Sequence, residues 1–212
     1  MICLLMVSLF IQCCMNRDKN DIPSSRIFDG QTFDGWEGPM EFFRIENQSI
    51  VAGSAEKPIP LNQFLCTETV YSDFELTLLV KFSSLKNNAG VQFRSKRIPD
   101  NHEVIGYQAD VGFLDTIPLW GSLYDESRRN RFLKRADAKK VVELIKLDDW
   151  NLYKIHAQGA NISISLNDVN VLNFIEKDDN VSREGVICLQ IHSGVPSEAW
   201  YKNIEIKELR SR

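Results

Sequence analysis

Three short segments carry the side chains best suited to chemistry: Gly90-Val91-Gln92-Phe93-Arg94, Tyr107-Gln108-Ala109-Asp110-Val111 and Leu189-Gln190-Ile191-His192. Each alternates an apolar residue with a large polar one. An imidazole accepts or releases a proton near neutral pH. A guanidinium offers several fixed donors, and primary amides both donate and accept. A surface presenting Gln92, Arg94, Gln108, Asp110, Gln190 and His192 together would grip a hydroxyl-rich ligand and could move a proton on it. The plainer reading is that these are ordinary outward residues, since alternation marks any half-buried strand.

The alternation decides which element must position these groups. Side chains on a strand point to opposite faces with period two, so one face of each segment is core and the other is free. Further strands are expected along the chain. Phe74-Glu75-Leu76-Thr77-Leu78-Leu79-Val80-Lys81-Phe82 is the clearest, and Trp150 to Gln158, Gly185 to His192 and Trp200 to Leu209 follow. Asn161 to Leu166 and Val169 to Phe174 flank Asn167-Asp168 and form a hairpin, because Asn and Asp tolerate the left-handed backbone of a tight turn. The charged stretch 125–134 reads as irregular. Asp137 to Leu147 places Val141, Val142 and Ile145 at helical spacing behind Asp137 as N-cap, which predicts one short helix. About a dozen short strands and a single helix near 137–147 imply an all-β fold, a two-sheet antiparallel sandwich.

Composition narrows the partners. The 212 residues suffice for one sizeable core, and a net charge of −4 with no Lys/Arg cluster gives nucleic acid no basic surface. Ile2 to Ile11 is an apolar run of signal-peptide length followed by Gln12-Cys13-Cys14 and a polar stretch. This resembles a bacterial lipoprotein signal, with Cys14 favoured over Cys13 as the lipidated residue. The expected organisation is therefore a signal at 1–14, a tether at 15–25 and a domain at 26–212. Such a protein would be exported to the periplasm or held at the outer membrane, touching the bilayer only through its lipid. Of five cysteines only Cys66 and Cys188 remain in the domain. They form no disulfide framework or zinc site on spacing, and Cys188 is expected to pack as a small hydrophobe.

Several segments, in order, are similar to one known family. They are Phe28-Asp29-Gly30-Gln31-Thr32-Phe33-Asp34-Gly35-Trp36, Asp73-Phe74-Glu75-Leu76, Gly90-Val91-Gln92-Phe93-Arg94-Ser95 and Gly106-Tyr107-Gln108-Ala109-Asp110. Trp120-Gly121-Ser122-Leu123-Tyr124-Asp125-Glu126, Trp150-Asn151, Leu189-Gln190-Ile191-His192-Ser193-Gly194 and Trp200 to Leu209 complete the set. The chain resembles the 3-keto-disaccharide hydrolase domain family over roughly residues 26–210. The resemblance implies a concanavalin-like jelly roll whose concave sheet binds sugar, and activity on glycosides already oxidised at C3. A C3 ketone acidifies the hydrogen on C2, so a modest base can remove it. The enolate then expels the C1 substituent, and water can add to complete net hydrolysis. That route needs a base, donors for the enolate oxygen and a proton source for the leaving group.

The residues are assigned accordingly. His192 and Asp110 are the candidate catalytic groups, either of them able to serve as base. Gln92, Arg94, Gln108, Gln190, Tyr124 and Glu126 are the substrate-binding candidates, with Tyr124 a stacking platform or proton source. Asp110 could equally fix Arg94, and Asp125-Glu126 beside Arg128, Arg129 and Arg131 could be a self-paired loop or fold over the site. His102 and His156 read as structural, and Trp36 and Trp120 as core. The Glu-x-Asp-x-x-Glu pattern of laminarinase-type glycosidases is absent, which argues against a paired-carboxylate mechanism. No cofactor is expected; were a divalent metal to bind, Asp110, Glu126 and His192 would be the first ligands to examine. The rival to an enzyme is a non-catalytic carbohydrate-binding domain using the same face, and a ligand-free surface domain ranks third.

Overall fold

The computed structural model describes residues 22–210 except residue 83. The expected signal, Cys14 and the tether through residue 21 lie outside the described residues. In chain order the strands are β1 (Ser25–Arg26), β2 (Trp36–Glu37), β3 (Phe43–Glu46), β4 (Ser49–Ser54), β5 (Gln63–Thr67) and β6 (Phe74–Phe82). There follow β7 (Asn88–Arg97), β8 (Val104–Leu114), β9 (Ile117–Pro118), β10 (Leu123–Glu126), β11 (Arg131–Lys134) and β12 (Asn151–Gln158). The last four are β13 (Asn161–Leu166), β14 (Val169–Ile175), β15 (Val186–Ile191) and β16 (Ser197–Glu208), with α1 (Ala138–Leu144) between β11 and β12.

They form two antiparallel sheets. The back sheet runs β14-β13-β12-β6-β16-β4-β3 with β1 on β16, and the front sheet runs β11-β10-β8-β7-β15-β5-β2 with β9 on β8. Hairpin neighbours alternate with pairings of strands distant in sequence, β12-β6-β16-β4 in the back sheet and β7-β15-β5-β2 in the front, the crossing pattern of a jelly roll. The sequence alternation sets the packing. Phe74, Leu76, Leu78, Val80 and Phe82 of β6 face Ala89, Val91, Phe93, Tyr107, Ala109 and Val111 of the front sheet in one core. Trp36 and Trp120 are buried there, as expected. At the β16 bulge, Asn203 takes a φ of 51° and Ile204 and Ile206 resume the inward set after Tyr201. Asn167 and Asp168 both have positive φ in the two-residue β13–β14 turn, which matches the twist of the flanking strands.

Three expectations need correction. Cys66 and Cys188 form a disulfide, their Cα atoms 3.9 Å apart although 122 residues separate them in sequence. They lie directly opposite each other on paired β5 and β15, a proximity that only the sheet order creates. The stretch 125–134 is a hairpin, β10 against β11, rather than irregular chain. Finally, α1 is capped by Asp137, whose Oδ1 accepts from the Lys139 and Lys140 amides, but Val142 is exposed and only Val141 is fully buried. The helix spans two turns, and Leu144 and the C-cap residue Ile145 pack partly buried on the core beside Val141.

Candidate active site

The outward face of the front sheet is a grid fixed by register. One row reads Tyr124, Gln108, Gln92, Cys188 and Cys66, each opposite the next on neighbouring strands. The next row reads Asp110, Gly90, Gln190 and Phe64. Beyond it lies His192, whose amide donates to the Asn88 carbonyl. Glycine at position 90 has a steric cause: a Cβ there would come within 2.6 Å of the Gln108 side chain, which lies flat across it.

A directed hydrogen-bond chain runs along this floor. The Ser95 hydroxyl, shared with the Phe93 carbonyl, approaches Gln92 Oε1 at 3.3 Å. Gln92 Nε2 donates to Gln108 Oε1 at 2.5 Å, and Gln108 Nε2 donates to Asp110 Oδ1 at 2.5 Å. Each amide thereby fixes the orientation of the next, and the chain ends on the Asp110 carboxyl.

Above the floor is a cleft of about 180 Å³ lined by Asn62, Asn88, Gln108, Asp110, Leu114, Leu119, Tyr124, Glu126, Phe132 and His192. Five of the residues singled out from sequence therefore meet in one hollow: Gln108, Asp110, Tyr124, Glu126 and His192. Tyr124 packs edge-on against Phe132, ring centres 5.1 Å apart, and forms an aromatic wall. Gln92 and Gln190 are fully buried beneath this level, as floor rather than lining. Both polar atoms of the Gln190 amide lack a protein partner among the described residues.

Arg94 is the exception, and its expected place on this face is wrong. A β-bulge interrupts β7 between Phe93 and Lys96, with Arg94 at a φ of 48°. The extra residue shifts the alternation, so Ser95 takes the position beside Gln92 and Arg94 turns toward the back sheet. There its guanidinium donates to the Ser72 and Gly159 carbonyls at 2.8 Å each and pairs with Asp73 at 2.9 Å. Asp110 therefore does not fix Arg94. The 840 Å³ hollow bordered by Asp73 and Gly159 at that end is shallow and polar, and none of the candidate residues lines it. Asp125, by contrast, is the self-paired residue of its loop: it points inward and binds Arg128 and Arg129, while its neighbour Glu126 opens to the cleft.

The β7–β8 hairpin borders the site and does more. After the bulge it curls over the sheet face toward β5. Arg97 reaches the Phe64 carbonyl at 2.9 Å and Glu37 at 2.7 Å, and Val104 packs on Phe64, Cys66 and Cys188. Glu103 Oε1 accepts from Asn62 Nδ2 at 3.2 Å, and His102 Nε2 lies 3.2 Å from the same oxygen. The hairpin thus covers half of the polar face, which explains the full burial of Gln92 and Gln190.

Electrostatics single out two carboxyls, and hydrogen bonding one imidazole. Burial raises the Asp110 carboxyl to about 8, opposed by the Gln108 bond and reinforced by Glu126, with Arg135 acting against it. Burial and then Glu103 raise Glu126 to about 7. Both carboxyls hold protons well above the usual carboxylate range. His192 Nδ1 lies 2.7 Å from the Ser193 carbonyl. A carbonyl can only accept, so Nδ1 carries the hydrogen and neutral imidazole leaves Nε2 as a free lone pair. The cleft can therefore offer one base and two acids. Among the described residues no three His, Cys, Asp or Glu gather as a metal-binding group.

Sequence reasoning missed Asn62, Asn88, Glu103 and Phe132. Asn62 and Glu103 sit in polar loops without a motif, and Asn88 opens β7 ahead of the alternating segment Gly90 to Arg94. Phe132 was hidden in a stretch taken as irregular.

The chain matches the 3-keto-alpha-glucoside-1,2-lyase-like domain over residues 23–207. It belongs to that family. The family is by its description carbohydrate-active. Among solved structures it is similar to a putative glycosyl hydrolase of Parabacteroides distasonis, with a TM-score of 0.67 and 17% identity over 88% of this chain and 94% of that one. The carbohydrate-binding module CBM66 of Bacillus subtilis matches with a TM-score of 0.60 and 15% identity, covering 82% and 96%. The β-glucanase of Bacillus licheniformis matches with a TM-score of 0.60 and 8% identity, covering 91% and 100%. At these identities the likeness is one of fold, a galectin- and glucanase-type jelly roll. No curated protein matches the chain in sequence.

Proposed function

We infer that the domain is an enzyme that cleaves 3-keto-glycosides by removing the C2 proton and eliminating the C1 substituent. One observation carries the reading: a histidine with a free Nε2 and two proton-bearing carboxyls line a single cleft. Asp110 stands on β8 and His192 directly follows β15, two strand places away and roughly 10 Å between backbones, which leaves room for a sugar ring between their side chains.

His192 Nε2 takes the proton from C2, and the electron pair of that bond forms the C2=C3 double bond as charge passes to the C3 oxygen. Asp110, protonated and steadied by Gln108, donates a hydrogen bond to that oxygen. The enolate then reforms the C3 carbonyl, a C1=C2 double bond forms and the C1–O bond breaks. Glu126 delivers its proton to the departing oxygen. The products are a 1,2-unsaturated 3-keto sugar and a free alcohol; water adding across C1=C2 gives net hydrolysis. Tyr124 and Phe132 supply the apolar wall for the ring.

The buried Cys66–Cys188 bond fits an oxidising compartment and supports the export expected from the N-terminal sequence. Lipidation at Cys14 is read from that sequence alone, and mass spectrometry of the mature N-terminus tests it.

A carbohydrate-binding domain would use the same face without turnover. The test is product analysis on matched C3-oxidised and unoxidised disaccharides. The enzyme releases the aglycone from the oxidised members only; binding of both without release establishes the lectin.

A further inference from the structure

We propose that Asn62 is the positioning residue of His192: its carboxamide fixes Ser193, and through Ser193 it keeps the imidazole with Nδ1–H bound and Nε2 open to the cleft. The inference rests on the base role given to His192 above and adds the group that holds the base in its working form.

The placement follows from register. Gln63 pairs with Ile191 on β5 and β15, so one step further along the sheet Asn62 comes opposite His192. Both line the cleft. His192 lies just beyond the end of β15, where the ladder to β5 stops. On the β7 side its amide donates to the Asn88 carbonyl at 3.1 Å, and its carbonyl accepts from Asn87 Nδ2 at 3.2 Å. On the β5 side a side chain takes over from the ladder: the Ser193 amide donates to Asn62 Oδ1 at 3.0 Å. The Ser193 carbonyl in turn accepts from His192 Nδ1 at 2.7 Å. A bridge between Gly194 and Ile59 closes the turn, with the Gly194 amide 2.8 Å from the Ile59 carbonyl. Gly194 stands at a φ of 132°, and glycine lends such a turn little stiffness of its own. The orientation of the Ser193 carbonyl therefore depends on these ties, and Asn62 supplies the one that grips the Ser193 amide.

The contacts also give the reason for an asparagine. A backbone N–H only donates, so Ser193 draws Oδ1 toward itself and turns Nδ2 away. Nδ2 then donates to Glu103 Oε1 at 3.2 Å, on the hairpin laid over the sheet. An aspartate at 62 would accept from Ser193 but would face the Glu103 carboxylate with a second one, and an apolar residue would bind neither. Without Asn62 the Ser193 carbonyl is free to turn from Nδ1. In part of the molecules the ring proton then sits on Nε2, a form with no lone pair left to face C2.

The test reads the imidazole directly and needs no substrate for its first arm. Protein with nitrogen-15-labelled histidine is studied by NMR at a pH where the ring is neutral. The chain has three histidines, and His192→Gln identifies the signals of interest. The wild type should show His192 as one tautomer, Nδ1–H. Asn62→Leu keeps the volume and removes both polar groups, so a substantial Nε2–H fraction should appear. In the second arm, kcat of that variant on a 3-keto-disaccharide should fall by roughly 10- to 100-fold with KM little changed. Pairing Asn62→Asp with Glu103→Gln exchanges donor and acceptor across the hairpin contact while keeping the acceptor for Ser193, and should restore both the tautomer and kcat. Should Asn62→Leu not fold, Asn62→Ala reads the same loss. A ring that stays wholly Nδ1–H without Asn62, or one that the paired exchange fails to restore, overturns the proposal. If the tautomer responds as stated while no 3-keto-glycoside is cleaved, the positioning role stands and the assigned reaction falls. Cleavage that depends on His192 but not on Asn62 leaves the reaction standing and removes the positioning role.

Discussion

The outward faces of the two sheets start from the same sequence pattern and end in opposite states. On the back sheet, Glu75, Thr77, Lys81, Lys154, His156, Trp200 and Lys202 alternate with core residues and stay at the solvent. Their partners are surface ones: Lys154 with Asp168 at 3.0 Å, Lys81 over Trp200 at 4.2 Å and Lys202 over Trp150 at 3.9 Å. On the front sheet, Gln92, Gln108, Asp110 and Gln190 alternate just as regularly and are 3% exposed or less. The front face is covered by its own hairpin and flanked by β9, β10 and β11. Water is thereby withdrawn from groups that normally need it, and two carboxyls respond by keeping their protons. Burial of a polar face, rather than its polarity, separates a site from a surface.

Substitution at the front face should give the largest effect. His192→Gln removes the base, so turnover of a 3-keto-disaccharide should fall by roughly 10²–10⁴-fold with ligand still bound. Steady-state kinetics with calorimetric binding reads this, and loss of affinity alone would assign the face to a lectin.

Arg94 sharpens the contrast, since it shares the polar alternation but serves the framework. Arg94→Gln leaves Asp73 without its buried partner. It should cost about 3–5 kcal/mol, a fall in Tm of roughly 10 °C in a chain of this size, with kcat of the folded protein little changed. A selective loss of kcat would return Arg94 to the site. The joint double variant Cys66→Ala with Cys188→Ala should cost about 2–4 kcal/mol, read by denaturant unfolding, because the bond closes a 122-residue loop.

The pH dependence follows from the sign of the Asp110 shift. Its folded value, about 8, lies above the ordinary aspartate value of 3.8. The folded state therefore holds the proton more tightly. This stabilisation is complete below about pH 4, declines as pH rises, and is gone once pH passes the folded value of about 8. Thermal melting should fall across that window, and Asp110→Asn should flatten the curve. The smallest effect belongs to the back face, where Lys154→Ala should change stability by about 1 kcal/mol or less in denaturant unfolding.

Much of this architecture was legible in the residues. The core run of β6, the Asn167-Asp168 hairpin, the N-cap at Asp137 and the polar alternation around Gln108 and Asp110 all follow from local rules. What escaped was nonlocal. Arg94 fits the alternation perfectly in sequence, but one residue of bulge reverses its side, and nothing in Phe93-Arg94-Ser95 announces a positive φ. The disulfide needed the order β15-β5, which no spacing encodes. Asn62 and Glu103 became site residues because a hairpin folds across four strands, a contact between loops without motifs. Gln92 and Gln190 keep their alternating places on the polar face, but their depth is set by cover that lies elsewhere in the chain.

The most direct test of the assigned chemistry is to run the reaction on a 3-keto-disaccharide in heavy water and follow the released 3-keto sugar by NMR. Removal of the C2 hydrogen, elimination and re-addition of solvent predict deuterium at C2 of that product, lost together with turnover in His192→Gln. Cleavage that retains the original hydrogen at C2, or wild-type cleavage rates in His192→Gln, would contradict it.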